Sequence, residues 1–191
     1  MCMFDKINIL LKNGGLIAFP TDTVWGIGCL PTHPQAVEKI YELKGRDKSK
    51  PLILMSHDLS FLLPYTQLPF SEKAEKLAQK HWPGALTLVV NKSDKVPNYT
   101  SANLNTIGIR VPNCNIFQEL CRHIEGHVLA TTSANLSGQP PATNYQDAMK
   151  VIGDKVDYTI FSDEKISKKS STVIGFHNDT PIVFRQGDII I

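Results

Sequence analysis

The sequence predicts a single α/β domain with a twisted, mixed, open sheet of about seven strands flanked by helices. Short apolar runs, such as residues 16–19, 52–55 and 106–112, alternate along the chain with longer segments of helical period. No repeat, low-complexity tract or linker-like stretch divides the 191 residues. Because strands interleaved with helices are typical of α/β folds, we assign residues 1–191 to one such domain.

Amphipathic patterns and end signals between the strands predict four to five helices. Glycines shortly after several of these segments favour a helix stop, and Ser71 is suited to the N-cap of its helix. The segments are 4–12, 34–44, 71–81, 115–125 and 145–152. Near the carboxyl end, two further apolar runs predict a hairpin around Asn178 and Asp179.

Composition restricts the class of protein more than its activity. The net charge of +2 neither requires nor excludes a nucleic acid partner. Cys2, Cys29, Cys114 and Cys121 form no CxxC pair, so we expect reduced thiols and no structural metal. Neither a signal peptide nor an apolar run of membrane-spanning length is visible. We therefore expect a soluble, cytoplasmic protein.

The densest polar segment is 130–138, Ala-Thr-Thr-Ser-Ala-Asn-Leu-Ser-Gly, which directly follows an apolar run that predicts a buried strand. Buried hydroxyl and amide groups need partners, and ligands bind at the carboxyl ends of strands in open α/β sheets. The segment is therefore either a turn closed by Gly138 or part of a ligand site. Gly26 and Gly28 pose a similar choice, because their open strand face suits either a flat ligand or a packed neighbour.

Cations mark further strand ends and helix ends. Residues 44–50 carry four of them beside the flexible Gly45, residues 165–169 carry three, and Arg110 ends a strand. Each cationic run is either a solvated loop or an anion-binding segment, and an arginine is well suited to a bidentate grip on carboxylate or phosphate.

Several common catalytic patterns are absent from the sequence, including GxSxG, HExxH and the Walker A loop. The polar segments that remain offer cations and hydroxyls but few acids. Such a set favours anion binding and stabilisation of developing charge over chemistry by paired carboxylates.

Six motifs in a fixed order resemble those of the YrdC/TsaC family, the threonylcarbamoyl-AMP synthases. Lys44-x-Arg46 with Ser133-x-Asn135 resembles the KxR…SxN signature of that family. The other five are Pro20-Thr-Asp-Thr-Val-Trp-Gly-Ile-Gly28, Trp82-Pro-Gly-Ala-Leu-Thr87, Arg110-Val-Pro112, Ser171-Thr-Val-Ile174 and Phe184-Arg-Gln-Gly187. The match covers nearly the whole chain and resembles the short, single-domain form, whose fold presents a concave basic cleft.

The resemblance implies condensation of L-threonine, bicarbonate and ATP to threonylcarbamoyl-AMP and pyrophosphate, with Mg²⁺ accompanying ATP. Other proteins then transfer the threonylcarbamoyl group to tRNA, and direct tRNA binding stays open. It implies catalytic roles for Lys44 and Arg46. Carried onto this chain, it implies that Lys44, Arg46, Lys50, Ser133, Asn135, Ser171 and Arg185 bind ATP, and that Thr23, Arg110 and Thr131 bind threonine. Trp25 would form the floor of the cavity.

One departure and two alternatives accompany this resemblance. Some members have a histidine directly after the strand that follows the KxR loop, whereas here His57 comes later, so we expect a surface position for it. The main alternative is a non-catalytic module that binds double-stranded RNA or tRNA, although no aromatic-rich stacking strand is visible. The other is the related domain of carbamoyltransferases, whose acylphosphatase and zinc-finger-like segments are absent.

Overall fold

Nine strands form one sheet in the computed structural model, which describes residues 2–191. They are β1 (Ile17–Phe19), β2 (Gly26–Cys29), β3 (Ile53–Ser56), β4 (Leu86–Asn91), β5 (Thr106–Arg110), β6 (Val128–Ser133), β7 (Tyr158–Thr159), β8 (Thr172–His177) and β9 (Thr180–Arg185). The predicted count of about seven was wrong by two. The shortest strand, β7, has two residues and pairs with β1.

The sheet is mixed, as predicted, with the order β7-β1-β2-β6-β3-β5-β4-β8-β9. Parallel pairing joins β1 to β7, β3 to β5 and β4 to β8, and the other neighbours are antiparallel. Strands distant in sequence therefore become neighbours at the centre of the sheet. The predicted hairpin is confirmed as β8 and β9, whose turn residues Asn178 and Asp179 both have positive φ.

Helices cover both faces of the sheet. They are α1 (Met3–Lys12), α2 (Pro34–Lys44), α3 (Leu59–Leu62), α4 (Glu72–His81), α5 (Asn115–His123) and α6 (Tyr145–Ile152), with 3₁₀ turns at Leu63–Tyr65 and Glu125–His127. Ser71 is the N-cap of α4, as predicted, and its side chain accepts a hydrogen bond from the amide of Ala74. Across residues 2–191, no helix is both long enough and apolar enough to cross a membrane.

Two apolar cores sit on opposite faces. Along β6, Ala130 belongs to the larger core, with α2, α4 and α6, whereas its neighbour Leu129 belongs to the smaller core, with α1 and α5. Alternate residues of a strand point to opposite faces, so each core occupies one side of the sheet. Helices α1 and α5 pack against only part of their face. Met55 on this face contacts the smaller core and also lines an open cavity beside it.

The glycine face of β2 packs against a neighbouring aromatic ring. A Cβ atom at Gly26 would lie 2.8 Å from a ring carbon of Phe19, and one at Gly28 would lie 2.9 Å from the Ala130 carbonyl oxygen. These contacts leave no room for a side chain at either position. Both glycines therefore have the packed neighbour, and Gly26 in addition lines the open cavity.

Candidate active site

An open cavity of about 380 Å³ lies over the centre of the sheet. Seven of the predicted site residues line it: Thr23, Arg46, Arg110, Thr131, Ser133, Ser171 and Arg185. The segments that carry them are far apart in sequence, and the strand order brings their ends together. The same cavity is lined by Trp25, as expected for its floor, and Trp25 is buried.

Three of the predicted site residues do not line this cavity: Lys44, Lys50 and Asn135. The side chains of Lys44 and Asn135 lie behind its wall, and Lys50 is exposed. Lys50 contributes its backbone carbonyl, which accepts hydrogen bonds from Tyr41 and Arg46.

Lys44 joins the end of α2 to the segment after β6. Its ammonium group donates to the Ser133 carbonyl at 2.5 Å, to the Asn135 carbonyl at 2.6 Å and to Asn135 Oδ1 at 2.8 Å. These three acceptors use all three ammonium protons. The Lys44 carbonyl accepts in turn from the Ser137 amide. Burial, together with the nearby charge of Arg46, lowers the pKa of Lys44 to about 7.

Asn135 completes a hydrogen-bonded brace that it forms with Lys44 and Ser133. Its Oδ1 also accepts from the Ser133 hydroxyl at 2.6 Å, and its Nδ2 donates to the carbonyls of Leu136 and Gln139. The segment 130–138 is thus both a turn and one wall of the cavity. Its amide side chain organises the turn and leaves Ser133 on the cavity wall.

Arg46 projects from the loop that follows α2. Gly45 ends that helix in the left-handed conformation, with φ of 57°, which glycine adopts without strain. The Arg46 guanidinium donates to the Lys50 carbonyl at 3.1 Å and to the Pro51 carbonyl at 2.9 Å. Both partners are neutral oxygens, and burial lowers the pKa of Arg46. The guanidinium is oriented by neutral oxygens, and within residues 2–191 it forms no ion pair with a carboxylate.

Arg185, at the end of β9, also lines the cavity. It donates from Nε to the Ser171 carbonyl at 2.9 Å and from Nη2 to the Ser171 hydroxyl at 3.0 Å. The same hydroxyl lies 2.9 Å from that of Thr87. Within residues 2–191, neither Arg46 nor Arg185 forms an ion pair with a carboxylate.

Arg110, at the end of β5, differs from both. Its Nη2 donates to Asp22 Oδ1 at 2.6 Å, its Nη1 to the Thr23 hydroxyl at 2.9 Å and its Nε to the Gly84 carbonyl at 3.0 Å. Burial lowers the pKa of Arg110, and the charge of Asp22 opposes this change. Since a guanidinium has five N–H donors, one remains on each terminal nitrogen. Two such N–H groups can bind a carboxylate when they point the same way.

Thr131 is held within the sheet. Its hydroxyl donates to the Ile53 carbonyl on β3 at 3.0 Å, so only the acceptor side of its oxygen remains for a ligand. Trp25 is backed by Tyr145, with ring centroids 6.0 Å apart. The cavity floor is therefore rigid on this side.

No role was predicted for Asp22 or for the apolar rim formed by Leu104 and Phe184. Both rim side chains line the cavity and are exposed. Asp22 was detectable in one respect, since it is a lone carboxylate within a strand-end segment of hydroxyls. Its pairing with Arg110 spans 88 positions and depends on the strand order.

One other expectation differs from the structure. His57 is partly buried, with ring centroids 4.9 Å from Phe61 and 5.7 Å from His127, and it does not line the cavity.

The arrangement is suited to two different ligand groups side by side. Three arginines and no carboxylate line the cavity within the described chain. At one end, Arg46 and Arg185 present uncompensated charge to an anion. At the other end, Arg110 is paired with Asp22 and is flanked by hydroxyls.

Comparisons with known proteins agree with this architecture. The model of the Sua5/YciO/YrdC family, described as "Telomere recombination", matches residues 9–187. A threonylcarbamoyl-AMP synthase of Vibrio campbellii is 38% identical over 158 residues, covering 80% of this chain and 83% of the relative. Another from Bacillus subtilis is 36% identical over 181 residues, covering 94% of this chain and 52% of the relative.

Solved structures give the same result. P. abyssi Sua5 complexed with L-threonine superposes with a TM-score of 0.90 at 34% identity, covering 96% of this chain and 54% of that one. E. coli YciO has a TM-score of 0.87 at 28% identity, with coverages of 97% and 89%. The chain spans about half the length of the longer relatives. The matched region and the shared fold show that the chain belongs to the Sua5/YciO/YrdC family.

Proposed function

We propose that this chain is an L-threonylcarbamoyladenylate synthase, which condenses L-threonine, bicarbonate and MgATP to threonylcarbamoyl-AMP and pyrophosphate. The observation that carries the proposal is the cavity with two differently charged ends. Relatives named threonylcarbamoyl-AMP synthase and a neighbouring structure complexed with L-threonine support this activity over an RNA-binding module.

The Arg110 end is suited to the amino acid. The two free N–H groups of Arg110 bind the carboxylate of threonine, and Thr23 and Thr131 bind its remaining polar atoms. Trp25 forms an apolar floor beneath it. The Arg110 guanidinium is held by three oxygens, so little conformational freedom is lost when the substrate binds.

The opposite end is suited to the triphosphate. Arg46 and Arg185 bind phosphate oxygens, and the hydroxyls of Ser133 and Ser171 bind phosphate or ribose oxygens. Mg²⁺ enters with ATP as part of the substrate. Lys44 and Asn135 support this end by holding Ser133 in place. Direct contact of Lys44 or Lys50 with ATP stays a prediction, and for Lys44 it requires the exchange of at least one present hydrogen bond.

The chemistry needs alignment and charge stabilisation more than proton transfer. The threonine amine and bicarbonate give a carbamate, with loss of water. A carbamate oxygen then forms a bond to the α-phosphorus, and the bond from that phosphorus to the leaving pyrophosphate breaks. Arg46 stabilises the negative charge that accumulates on the phosphoryl oxygens. The product then serves proteins that modify tRNA.

The proposal is tested by pyrophosphate release from ATP by the purified chain. Release is expected only when L-threonine and bicarbonate are both present, and mass spectrometry should detect threonylcarbamoyl-AMP. Omission of either substrate is the control for contaminating ATPase activity. Release that does not depend on threonine, or no release at all, rejects the proposed activity.

A further inference from the structure

One ion pair beside the cleft is buried. Arg110 and Asp22 lie 2.6 Å apart, with side chains only 2% and 17% exposed. Every other ion pair found in residues 2–191 joins side chains that are at least 45% exposed. Exposed ion pairs contribute little to stability because water screens them. In a buried pair, each charge strongly affects its partner.

Asp22 acts on the cavity through Arg110. Arg110 lines the cavity wall, and Asp22 does not. Asp22 is held from behind, because its backbone carbonyl accepts from the Ser167 amide at 3.0 Å. The Asp22 carboxylate is held by Arg110 Nη2, so it is a counter-charge to Arg110 and not a lining group of the cavity.

The consequence is a difference in net charge between the two ends. Arg110 with Asp22 sums to zero, which matches a zwitterionic amino acid. Arg46 and Arg185 have no carboxylate partner within residues 2–191, which matches a polyphosphate. Charges close together in a poorly solvated cleft interact strongly, so the counter-charge decides how well Arg110 attracts a second anion.

We propose that Asp22 is a specificity-determining residue, which cancels the charge of Arg110 and so keeps phosphate anions out of the amino-acid end. This inference rests on the proposed function. It assigns Asp22 no contact with substrate. Its effect is selective exclusion, since an uncompensated Arg110 is as suitable for a phosphate as for a carboxylate.

The test is calorimetric titration of L-threonine into the intact chain, with and without inorganic pyrophosphate, for wild type and Asp22→Asn. In wild type, pyrophosphate occupies the Arg46 end and changes the threonine dissociation constant by less than about threefold. In Asp22→Asn, pyrophosphate also competes at Arg110 and raises that constant at least about tenfold, as expected for one uncompensated buried charge. An equal response in both proteins overturns the proposal.

Two variants serve as controls. Asp22→Glu keeps the charge and should behave as wild type. Glu119→Gln removes the same charge from an exposed pair, Glu119–Arg122, whose atoms are also 2.6 Å apart, and should change nothing. If Asp22→Asn does not fold, as judged by circular dichroism, Asp22→Ser gives the same measurement with a smaller polar acceptor. If wild type binds no threonine at all, the proposed function fails instead of this inference.

Discussion

The two ends of the cleft hold their arginines by different means. Arg110 is surrounded by a carboxylate, a hydroxyl and a carbonyl, so its charge is compensated and its orientation is fixed. Arg46 and Arg185 are oriented by carbonyl and hydroxyl oxygens of Lys50, Pro51 and Ser171. Neutral acceptors orient a cation without cancelling its charge. The difference shows how one cleft can prefer a zwitterion at one end and a polyanion at the other.

The largest effect is expected from removal of an uncompensated charge. Arg46→Ala should reduce the rate of pyrophosphate release by about a thousandfold or more, since arginines that stabilise phosphoryl transfer contribute on that scale. The measurement is kcat with saturating substrates. Lys48→Ala is the matched control, because Lys48 lies in the same loop but is exposed and paired with Glu38. A loss below tenfold for Arg46→Ala would show that Arg46 does not stabilise the phosphoryl charge.

A smaller effect is expected from loss of the brace behind the phosphate end. Asn135→Ala removes four hydrogen bonds of a buried amide and leaves the Lys44 ammonium short of an acceptor. The free energy of unfolding should fall by about 2–4 kcal/mol, as for buried polar groups left unsatisfied. Denaturant unfolding measures this change.

Asn98→Ala gives the control for that prediction, because the Asn98 side chain is exposed and accepts from Lys92. Its effect should stay within about 0.5 kcal/mol, as is usual at the surface. Equal stability losses in the two variants would show that the amide of Asn135 has no special structural role.

A third effect concerns pH. Lys44 has a pKa of about 7 in the folded chain against an ordinary lysine pKa of 10.5, so the unfolded chain binds more protons between these values. The unfolding free energy therefore rises with pH across that window because of Lys44, by at most about 1.4 kcal/mol per pH unit. Lys44→Met should remove this contribution. Identical slopes of stability against pH in wild type and Lys44→Met between pH 7 and 10 would contradict the pKa shift.

Local pattern was enough to predict much of the fold. Strand and helix periodicity located most elements, and the family resemblance implied seven residues that line the cavity, among them Thr23, Arg110 and Ser133. Tertiary pairing was not predictable. The brace from Lys44 to Asn135 spans 91 positions, and the pair of Asp22 with Arg110 spans 88. Both depend on a strand order that no local pattern contains.

Lys44 and Arg46 lie two residues apart in one motif, yet their side chains have different surroundings. The left-handed Gly45 between them reverses the chain, so Lys44 turns inward to the wall and Arg46 outward to the cavity. The sequence predicted the same role for both. Their separation is a property of the helix end and not of the residue types.

The most direct test of the account compares Arg46→Lys with Arg110→Lys in the same assay. Lysine keeps the charge but loses the planar fork, so each variant should weaken binding only at its own end, by about tenfold or more. The expected result is a raised KM for ATP in Arg46→Lys and a raised KM for L-threonine in Arg110→Lys, each with the other constant unchanged. If both variants raise the same constant, the cleft is not divided into an amino-acid end and a phosphate end.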